Sequence, residues 1–511
     1  MSELPKGWVL AKLEEVVQPV MSIDPYVLWG ETSICYFDIG SIDNETGVIT
    51  NPKIMKSVSA PSRARQLVQE GDTIFSTVRP YLKAIAKIPK TENGIASTGF
   101  CVIRGKINKD YIYFMMRSDF FISKILPLQR GVSYPAVRDK DILSQEIPIP
   151  PLNEQARIVT KLEELLSDLD AGVSELKTAQ AKLVQYRQSL LKAAVEGELT
   201  RAWRESQRPN AEHETGAQLL ERILLERRKR WEAKQLAKFA EQGKQPPKDW
   251  KKKYPEPVQP DTADLPELPE GWVWASLSQV GWLDRGISKH RPRNAEFLYG
   301  GAYPFIQTGD IRHADTFINN YEKTYSEAGL AQSKLWPTGT MCITIAANIG
   351  ETALTGMPSC FPDSIVGFLT ASDLVSIRYV EYFMRVAKKK LDAEAPATAQ
   401  KNINLEILSK VVLPLPPLSE QLRIVEKLDE LNNRIKSQSS DIEQSLKQSA
   451  AQRKNILRAA FAGELVPQDP NDEPASVLLE RIQAERAAQT AAKKPRGQKN
   501  TPNKNGVCHE N

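Results

Sequence analysis

Two long stretches of the chain place apolar residues at alternating steps of four and three. The first stretch starts at Ile158 and the second at Ile424. A sustained period of 3.5 residues is typical of helices that pair along a coiled-coil seam. We therefore predict two long paired helices, with two ordinary amphipathic core helices as the alternative. The predicted pairing positions are Ile158, Leu162, Leu165, Leu169, Leu176, Leu183, Ile424, Leu428, Leu431, Ile435, Ile442 and Ile456.

The same motif introduces both stretches. Residues 148–155 read Pro-Ile-Pro-Pro-Leu-Asn-Glu-Gln, and residues 414–421 read Pro-Leu-Pro-Pro-Leu-Ser-Glu-Gln. Proline holds the chain extended and cannot continue a preceding helix. We expect Asn153 and Ser419 to cap the two helices, because their side-chain oxygens suit the free amides of a first turn. Glycine near each end, at 197 and 463, suits a helix C-terminus.

The repetition extends beyond the helices. A Leu-Pro-x-Gly-Trp opening occurs at residues 4–8 and again at 268–272, and an Ala-Ala-x-x-Gly-Glu-Leu closing occurs at 193–199 and 459–465. Self-similarity at such a long period indicates a duplicated domain. Two similar halves joined head to tail predict an internal pseudo-twofold repeat.

The two halves differ most at residues 10–147 and 274–413. Short apolar runs near glycine predict strands there, and Tyr111–Met116 and Tyr379–Met384 have helical patterns. We therefore expect two compact α+β domains. The predicted strands are Ile34–Ile39, Thr73–Val78, Phe100–Ile103, Pro304–Thr308, Met341–Ala346 and Gly367–Thr370.

These elements divide the chain into six parts. The predicted bounds are 1–150 and 267–415 for the globular domains, 151–200 and 416–466 for the long helices, 201–266 for a basic helix and linker, and 467–511 for a short helix and tail. Leu219–Phe239 reads as a basic amphipathic helix, and the proline-rich residues 245–257 predict an extended spacer. The composition of residues 487–511 predicts disorder.

Composition narrows the functional classes. The 511 residues carry a net charge of +5, which permits nucleic-acid binding without requiring it. Five scattered cysteines without a C-x-x-C pair favour the reducing cytoplasm and indicate neither disulfides nor a zinc site. No apolar run reaches the ~18 residues of a membrane span. We find no phosphate-binding loop, nucleophile elbow or metal-ligand motif, so we expect a protein without catalytic residues, metal or cofactor of its own.

Basic, amide and aromatic residues gather in segments that resemble loops. Arg and Lys bind phosphates or guanine edges, and Asn or Gln binds adenine edges. We expect DNA contacts among these residues, with a solvated loop surface as the alternative for each one. The candidates are Arg63, Arg65, Arg79, Tyr81, Lys83, Arg130, Ser133, Tyr134, Arg138, Lys289, His290, Arg291, Arg293, Gln400, Lys401 and Asn402.

The duplicated motifs, in this order, resemble the specificity subunit of type I restriction–modification systems over residues 4 to about 482. The resemblance implies two target recognition domains, each reading one half of a bipartite, asymmetric site in double-stranded DNA. It implies antiparallel helices that separate these domains and dock two modification subunits. Those partners would use S-adenosylmethionine, and two restriction subunits would use ATP and Mg²⁺.

Two other functions remain open on the residues alone. A fused methyltransferase would bind S-adenosylmethionine, and a coiled-coil scaffold would bind DNA without sequence preference. For the leading interpretation, a helix from Asn153 to Glu196 is about 66 Å long, which is about two turns of DNA. Because the two domains differ in sequence, we expect two different half-sites separated by unread base pairs.

Overall fold

A computed structural model of the protein describes residues 4–207, 214–346, 348–394 and 403–492. The chain divides into two compact units. The first unit contains residues 1–177 and 443–511, and the second contains residues 178–442. Each unit therefore combines one globular domain with the beginning of one long helix and the end of the other.

The first globular domain is α+β. Its strands form two four-stranded sheets, in the orders β6-β3-β10-β7 and β2-β11-β8-β9, with two-stranded pairs β1-β12 and β4-β5. The strands are β1 Val9–Lys12, β2 Val17–Gln18, β3 Ser33–Phe37, β4 Ile42–Asp43, β5 Val48–Ile49, β6 Lys53–Lys56, β7 Ala64–Leu67, β8 Thr73–Ser76, β9 Ile85–Lys87, β10 Gly94–Ser97, β11 Phe100–Gly105 and β12 Glu146–Ile149; the helices are α1 Pro25–Trp29, α2 Lys109–Arg117, α3 Asp119–Ile125 and α4 Asp139–Leu143.

Three helices follow the first domain. They are α5 Leu152–Val195, α6 Arg201–Gln207 and α7 Gly216–Glu241. The predicted basic helix is α7, and its buried Leu219 and Ile223 pack into the core of the second unit. The predicted extended spacer is wrong in part, because Trp250–Lys253 form a 3-10 turn. This turn forms because Trp250 stacks on Trp231 of α7.

The second globular domain is also α+β, with a five-stranded sheet in the order β14-β20-β18-β19-β16 and pairs β13-β21 and β15-β17. The strands are β13 Val273–Ser276, β14 Gly281–Arg285, β15 Tyr299–Phe305, β16 Phe317–Ile318, β17 Lys323–Tyr325, β18 Met341–Thr344, β19 Thr352–Thr355, β20 Ile365–Thr370 and β21 Val412–Leu415; the helices are α8 Leu277–Val280, α9 Thr308–His313, α10 Glu327–Ala331, α11 Ile377–Glu394 and α12 Leu405–Ser409. Five of the six strands predicted from the sequence are present with shifted ends, and the two predicted helices are α2 and α11. The predicted strand Pro304–Thr308 is wrong after Phe305, because α9 begins at Thr308 and the Gln307 amide donates to Asp310 at the start of this helix.

Two further helices complete the chain. They are α13 Leu418–Ala462 and α14 Ala475–Ala492. The prediction of disorder from residue 487 is therefore wrong as far as Ala492, because Leu478 and Ile482 bury this helix against the first unit's core. Residues 493–511 lie outside the described part of the chain.

The long helices run antiparallel, as the packing within each unit shows. In the first unit, Leu162 and Leu166 near the start of α5 share a core with Leu457 and Phe461 near the end of α13. In the second unit, the end of α5 packs on the start of α13 through Leu190, Ala194, Ile424 and Leu428. Within the described residues none of the twelve predicted pairing positions is exposed; five are buried and seven half-buried.

The predicted caps are wrong by two residues. The helices begin at Leu152 and Leu418, so the cap positions are Pro151 and Pro417, the second proline of each Pro-Pro pair. Asn153 and Ser419 therefore lie inside the first turn. The predicted glycine ends are confirmed, since Gly197 and Gly463 have φ values of 77° and 76°. That left-handed conformation suits glycine because it has no Cβ.

The repeated motifs meet in a hydrogen-bonded node at the start of each long helix. In the first unit Trp8 Nε1 donates to Glu154 Oε2 at 3.0 Å, and the amide of Asn108 donates to Gln155 Oε1 at 3.0 Å. In the second unit Trp272 Nε1 donates to Glu420 Oε2 at 2.8 Å, and the amide of Ser376 donates to Gln421 Oε1 at 2.9 Å. Each node joins the domain's opening strand, its helical layer and its long helix.

A buried tyrosine closes each node. Tyr111 Oη donates to the Pro148 carbonyl at 2.8 Å, and Tyr379 Oη donates to the Pro414 carbonyl at 2.7 Å. Burial raises the pKa of both tyrosines well above its usual value. The proline-rich motif is thus held against its own domain by tyrosine side chains that keep their protons.

Candidate nucleic-acid interface

Four connections of the first domain lie side by side. The amide of Thr98 donates to the Arg63 carbonyl at 2.8 Å, that of Thr77 to the Gly99 carbonyl at 2.9 Å, and that of Val137 to the Thr77 carbonyl at 2.9 Å. We call residues 61–63, 77–83, 97–99 and 129–138 loop face 1. Most of the sequence candidates of this domain belong to it.

Arg79 occupies the centre of loop face 1. Its backbone is left-handed, with φ 49°, and its amide donates to the Pro135 carbonyl at 2.7 Å. Its guanidinium carbon lies 5.1 Å from the ring centroid of Tyr134, which is 72% exposed. Arg79 Nε is buried and finds no hydrogen-bond partner among the described residues. A non-glycine residue in this conformation costs free energy, so the surrounding loop must hold Arg79 in place.

Other cations of loop face 1 carry ion pairs. Arg130 Nη1 lies 2.5 Å from Asp141, and this hydrogen bond holds the pKa of Asp141 below its usual value. Lys83 Nζ lies 2.5 Å from Asp119. Both pairs are solvent-accessible, and such pairs contribute little to stability. A phosphate can therefore compete for these cations at small cost. Tyr81, Ser133 and Arg138 are exposed on the same face.

Arg63 and Arg65 have different surroundings. Arg63 is exposed at the edge of loop face 1. Arg65 lies on β7, where its guanidinium pairs with Asp24 and donates to the Ser62 carbonyl at 3.1 Å. The guanidinium of Arg65 is therefore occupied by contacts within its own domain, and the structure does not bring it to the face that carries Arg79.

The second domain repeats this arrangement. The amide of Ile345 donates to the Ser364 carbonyl at 3.0 Å, and that of Ile403 donates to the Ile345 carbonyl at 3.1 Å. These bonds correspond to the Thr77 and Val137 bonds of the first domain. We call the described residues 286–293, 345–346, 348–350 and 362–364, with Ile403, loop face 2. The candidates Gln400, Lys401 and Asn402 lie outside the described residues, directly before Ile403.

The basic cluster of loop face 2 is largely held by its own contacts. Arg293 Nη2 binds both oxygens of Asp363, at 2.9 and 2.8 Å. Arg291 Nη1 donates to the Ser288 and His290 carbonyls at 2.7 and 2.9 Å.

Lys289 and His290 are held through their backbone. Their amides both donate to Gln332 Oε1. The ammonium of Lys289 is exposed and makes no ion pair with the residues that the structure describes. Lys289 therefore presents an exposed charge that no described residue neutralises.

Sequence reasoning missed two residues at these faces. Asn348 is exposed with φ 61° in the turn between β18 and β19, which corresponds to the turn that carries Arg79. Val132 is fully exposed beside Tyr134 in loop face 1. The Asn-Ile-Gly run after a strand is a turn signal that could have identified Asn348. For Val132 the sequence holds no such signal, since only the fold shows that this apolar side chain faces water.

The described residues contain no group of three or more His, Cys, Asp or Glu side chains that could hold a metal ion. None of the helices described is both long and apolar enough to cross a bilayer.

Comparison with known proteins gives one matching family model. It describes the type I restriction modification DNA specificity domain and matches residues 5–178 and 269–448. The EcoDI specificity subunit of a type I restriction enzyme from Escherichia coli is 26% identical over 408 residues, which cover 76% of this chain and 79% of that protein. The EcoBI specificity subunit from Escherichia coli is 24% identical over 419 residues, covering 76% and 74%.

Solved structures are similar over nearly the whole chain. One chain, from a study of complex assembly and conformational transition in the type I restriction–modification system, is 27% identical with a TM-score of 0.69, covering 91% of this chain and 100% of its own length. The HsdS subunit from Thermoanaerobacter tengcongensis is also 27% identical, with a TM-score of 0.55 and coverage of 90% and 98%.

Proposed function

Because this chain belongs to the type I restriction modification DNA specificity domain family, we propose that it is the DNA specificity subunit of a type I restriction–modification complex. Loop faces 1 and 2 each read one half of a bipartite target in double-stranded DNA. The observation that carries this proposal is the recurrence of one loop arrangement in two domains of different sequence. Matching hydrogen bonds, Thr77 to Gly99 and Ile345 to Ser364, build the two faces. Because loop faces 1 and 2 share a backbone arrangement but carry different side chains, we expect them to read different half-sites.

The long helices supply the spacing in this proposal. They contain 44 and 45 residues, about 66 Å each at ~1.5 Å per residue. The division proposed is recognition domains at 1–150 and 267–415, helical regions at 151–200 and 416–466, a linker at 201–266 and a terminal region at 467–511. Helical side chains that face away from the seam are the proposed docking surface for the modification subunits.

Catalysis belongs to the partners. We propose two modification subunits that use S-adenosylmethionine and two restriction subunits that use ATP and Mg²⁺. The similarity to a chain from a type I complex supports an assembly of this kind. The purified chain alone should neither methylate nor cleave DNA, and turnover by the lone chain would contradict this assignment.

Selection from random duplexes tests the proposal. The complex of this chain with its modification subunits is incubated with a random library, and bound DNA is sequenced. The expected result is two dissimilar half-sites at a constant separation. Enrichment of no motif would favour a scaffold without sequence preference, and a single contiguous motif would contradict two separate readers.

A domain exchange makes the test sharper. Replacing residues 267–415 with the corresponding domain of a relative should change one half-site and leave the other unchanged. The matched control replaces residues 1–150 and should change only the other half. A change in both half-sites after either exchange would show that the domains do not read independently.

A further inference from the structure

One segment between the two halves carries the positive charge of the whole chain. Residues 228–253 contain ten Lys and Arg against three Asp and Glu, which leaves 58 against 60 elsewhere. This segment contains the second half of α7, the turn after it and the 3-10 turn Trp250–Lys253. We call it the basic hairpin.

Aromatic contacts fold the basic hairpin back on itself. Trp250 stacks on Trp231, with ring centroids 5.8 Å apart and an interplanar angle of 19°. Phe239 packs edge-on against Trp250 at 6.3 Å, and Tyr254 packs edge-on against Trp231 at 5.4 Å. The lysines of this segment therefore lie on a folded element, which fixes their positions in a way that a flexible linker would not.

A buried arginine ties the basic hairpin to the second domain. Arg227 is 4% exposed, and its guanidinium lies 3.7 Å from the ring centroid of Trp282 on β14. It also donates to the Tyr254 hydroxyl and, at 3.0 Å, to the Pro255 carbonyl. Because the charges are already held in place, a ligand that binds them loses less conformational entropy.

The outer surface of the basic hairpin is rich in free cations. Lys234, Lys238, Lys244, Lys248 and Lys253 are exposed and form no ion pair within the parts of the chain that the structure covers. Lys234 and Lys238 lie one turn apart, about 6 Å along α7.

The composition of this surface decides which partner it fits. Protein interfaces are depleted in lysine and enriched in aromatic residues, and here the aromatic residues are used inside the hairpin. A lysine surface of this kind suits the closely spaced charges of a phosphate backbone.

We propose that the basic hairpin binds the phosphate backbone of double-stranded DNA, independently of base sequence and in addition to loop faces 1 and 2. The choice of DNA as the ligand rests on the proposed function. The contact raises affinity for every sequence equally and leaves the preference for the target unchanged. It also makes binding more sensitive to salt, because each neutralised phosphate releases counterions.

A charge-removing variant tests this inference. Glutamine keeps good helix propensity, so K234Q/K238Q preserves α7. Binding of the full chain to a target duplex and to a scrambled duplex is measured by fluorescence anisotropy between about 50 and 200 mM KCl, the range over which phosphate contacts change affinity most visibly. Losing two contacts should make the slope of log K against log salt less negative by about 1.8. Over this range the wild type should lose about tenfold more affinity than the variant, on both duplexes.

The matched control removes two lysines elsewhere. Lys56 and Lys90 are exposed at the end of the first domain's sheets away from loop face 1, since Lys56 pairs with Ser33 at the start of β3 and Lys90 connects β9 to β10. K56Q/K90Q should keep the wild-type slope. An unchanged slope in K234Q/K238Q would overturn the inference.

Two further outcomes separate this inference from its rivals. If the wild type binds target and scrambled duplexes equally, the proposed function fails, while the difference in slope still decides the role of the hairpin. If K234Q/K238Q keeps its DNA affinity but binds the modification subunits more weakly, the surface serves an acidic protein partner and the inference is wrong.

Discussion

Replacing the tryptophan of each node by phenylalanine should have unequal effects in the two halves. Trp8→Phe removes the indole N–H that donates to Glu154 Oε2. Glu154 is 1% exposed, and its other oxygen, Oε1, has no hydrogen-bond partner among the residues described. Trp272→Phe removes the same bond to Glu420, but Thr200 Oγ1 still donates to Glu420 at 2.7 Å and Arg204 lies 3.5 Å away. After the substitution, the Glu154 carboxylate has no hydrogen-bond partner among the described residues, whereas the Glu420 carboxylate keeps Thr200 and Arg204.

The magnitude follows from the hydrogen bonds that are lost. A hydrogen bond to a charged group contributes about 1.5–3 kcal/mol, and a buried acceptor left unsatisfied costs a similar amount. We expect Trp8→Phe to destabilise the start of α5 by about 3 kcal/mol and Trp272→Phe to destabilise the start of α13 by about 1 kcal/mol. A difference of about 2 kcal/mol corresponds to roughly a 30-fold difference in the local opening equilibrium.

Hydrogen exchange measured by mass spectrometry separates the two sites within one full-length chain. Peptides from residues 156–166 and 422–432 report the two helix starts, and each variant is the matched control for the other. Trp8→Phe should raise exchange in the first peptide far more than Trp272→Phe raises it in the second. Combining Trp8→Phe with Glu154→Gln should restore most of the protection, because the buried charge is removed. Equal effects of the two single variants would refute the reasoning.

Two other predictions concern one recognition residue and one titration. Arg79→Gln should weaken binding to the half-site of the first domain by about 1–3 kcal/mol, and Arg65→Gln should not; anisotropy on duplexes altered in one half-site distinguishes them. Burial raises the pKa of Glu154 above its usual 4.5. Between pH 4.5 and the raised pKa, the folded chain therefore binds more protons than the unfolded chain. The stability of the folded chain should increase as pH falls through this range. Glu154→Gln should raise Tm at pH 7, and the difference in Tm between the variant and the wild type should become smaller as pH falls toward 4.5; a constant difference would contradict the raised pKa.

The helices were predictable because their signal is local and repeated. The apolar period from Ile158 identified α5, and the duplicated glycine positions identified both helix ends. The caps were missed because Asn153 is a good capping residue, yet the helix starts directly after Pro151 and takes up Asn153. A two-residue error of this kind is typical of helix boundaries read from sequence.

The node was invisible in the sequence because its members are far apart in the chain. Trp8 and Glu154 are separated by 146 residues. The sequence shows only that they recur 264 and 266 residues later, as Trp272 and Glu420. Repetition indicated that these residues matter to each half but not that they touch.

The recognition residues were harder to predict for another reason. A basic residue in a loop looks the same in the sequence whether its charge is free or paired. Arg79 and Arg293 look alike in the sequence, but Arg293 binds Asp363 while Arg79 Nε is buried without a described partner. The backbone geometry that decides this depends on contacts between loops that are distant in the chain.

Changing the length of the paired helices tests whether they set the distance between the two half-sites. Four residues are inserted after Gly172 in α5 and four near Ser449 in the facing part of α13, the region in which Asp170 pairs with Arg453. The insertion lengthens each helix by about 6 Å, close to two base pairs at ~3.4 Å each. Methylated adenines are then mapped across the genome of cells that carry the variant and its modification subunits. If the helices set the spacing, the half-sites stay the same and their separation grows by about two base pairs. An unchanged separation would show that the helices do not set it.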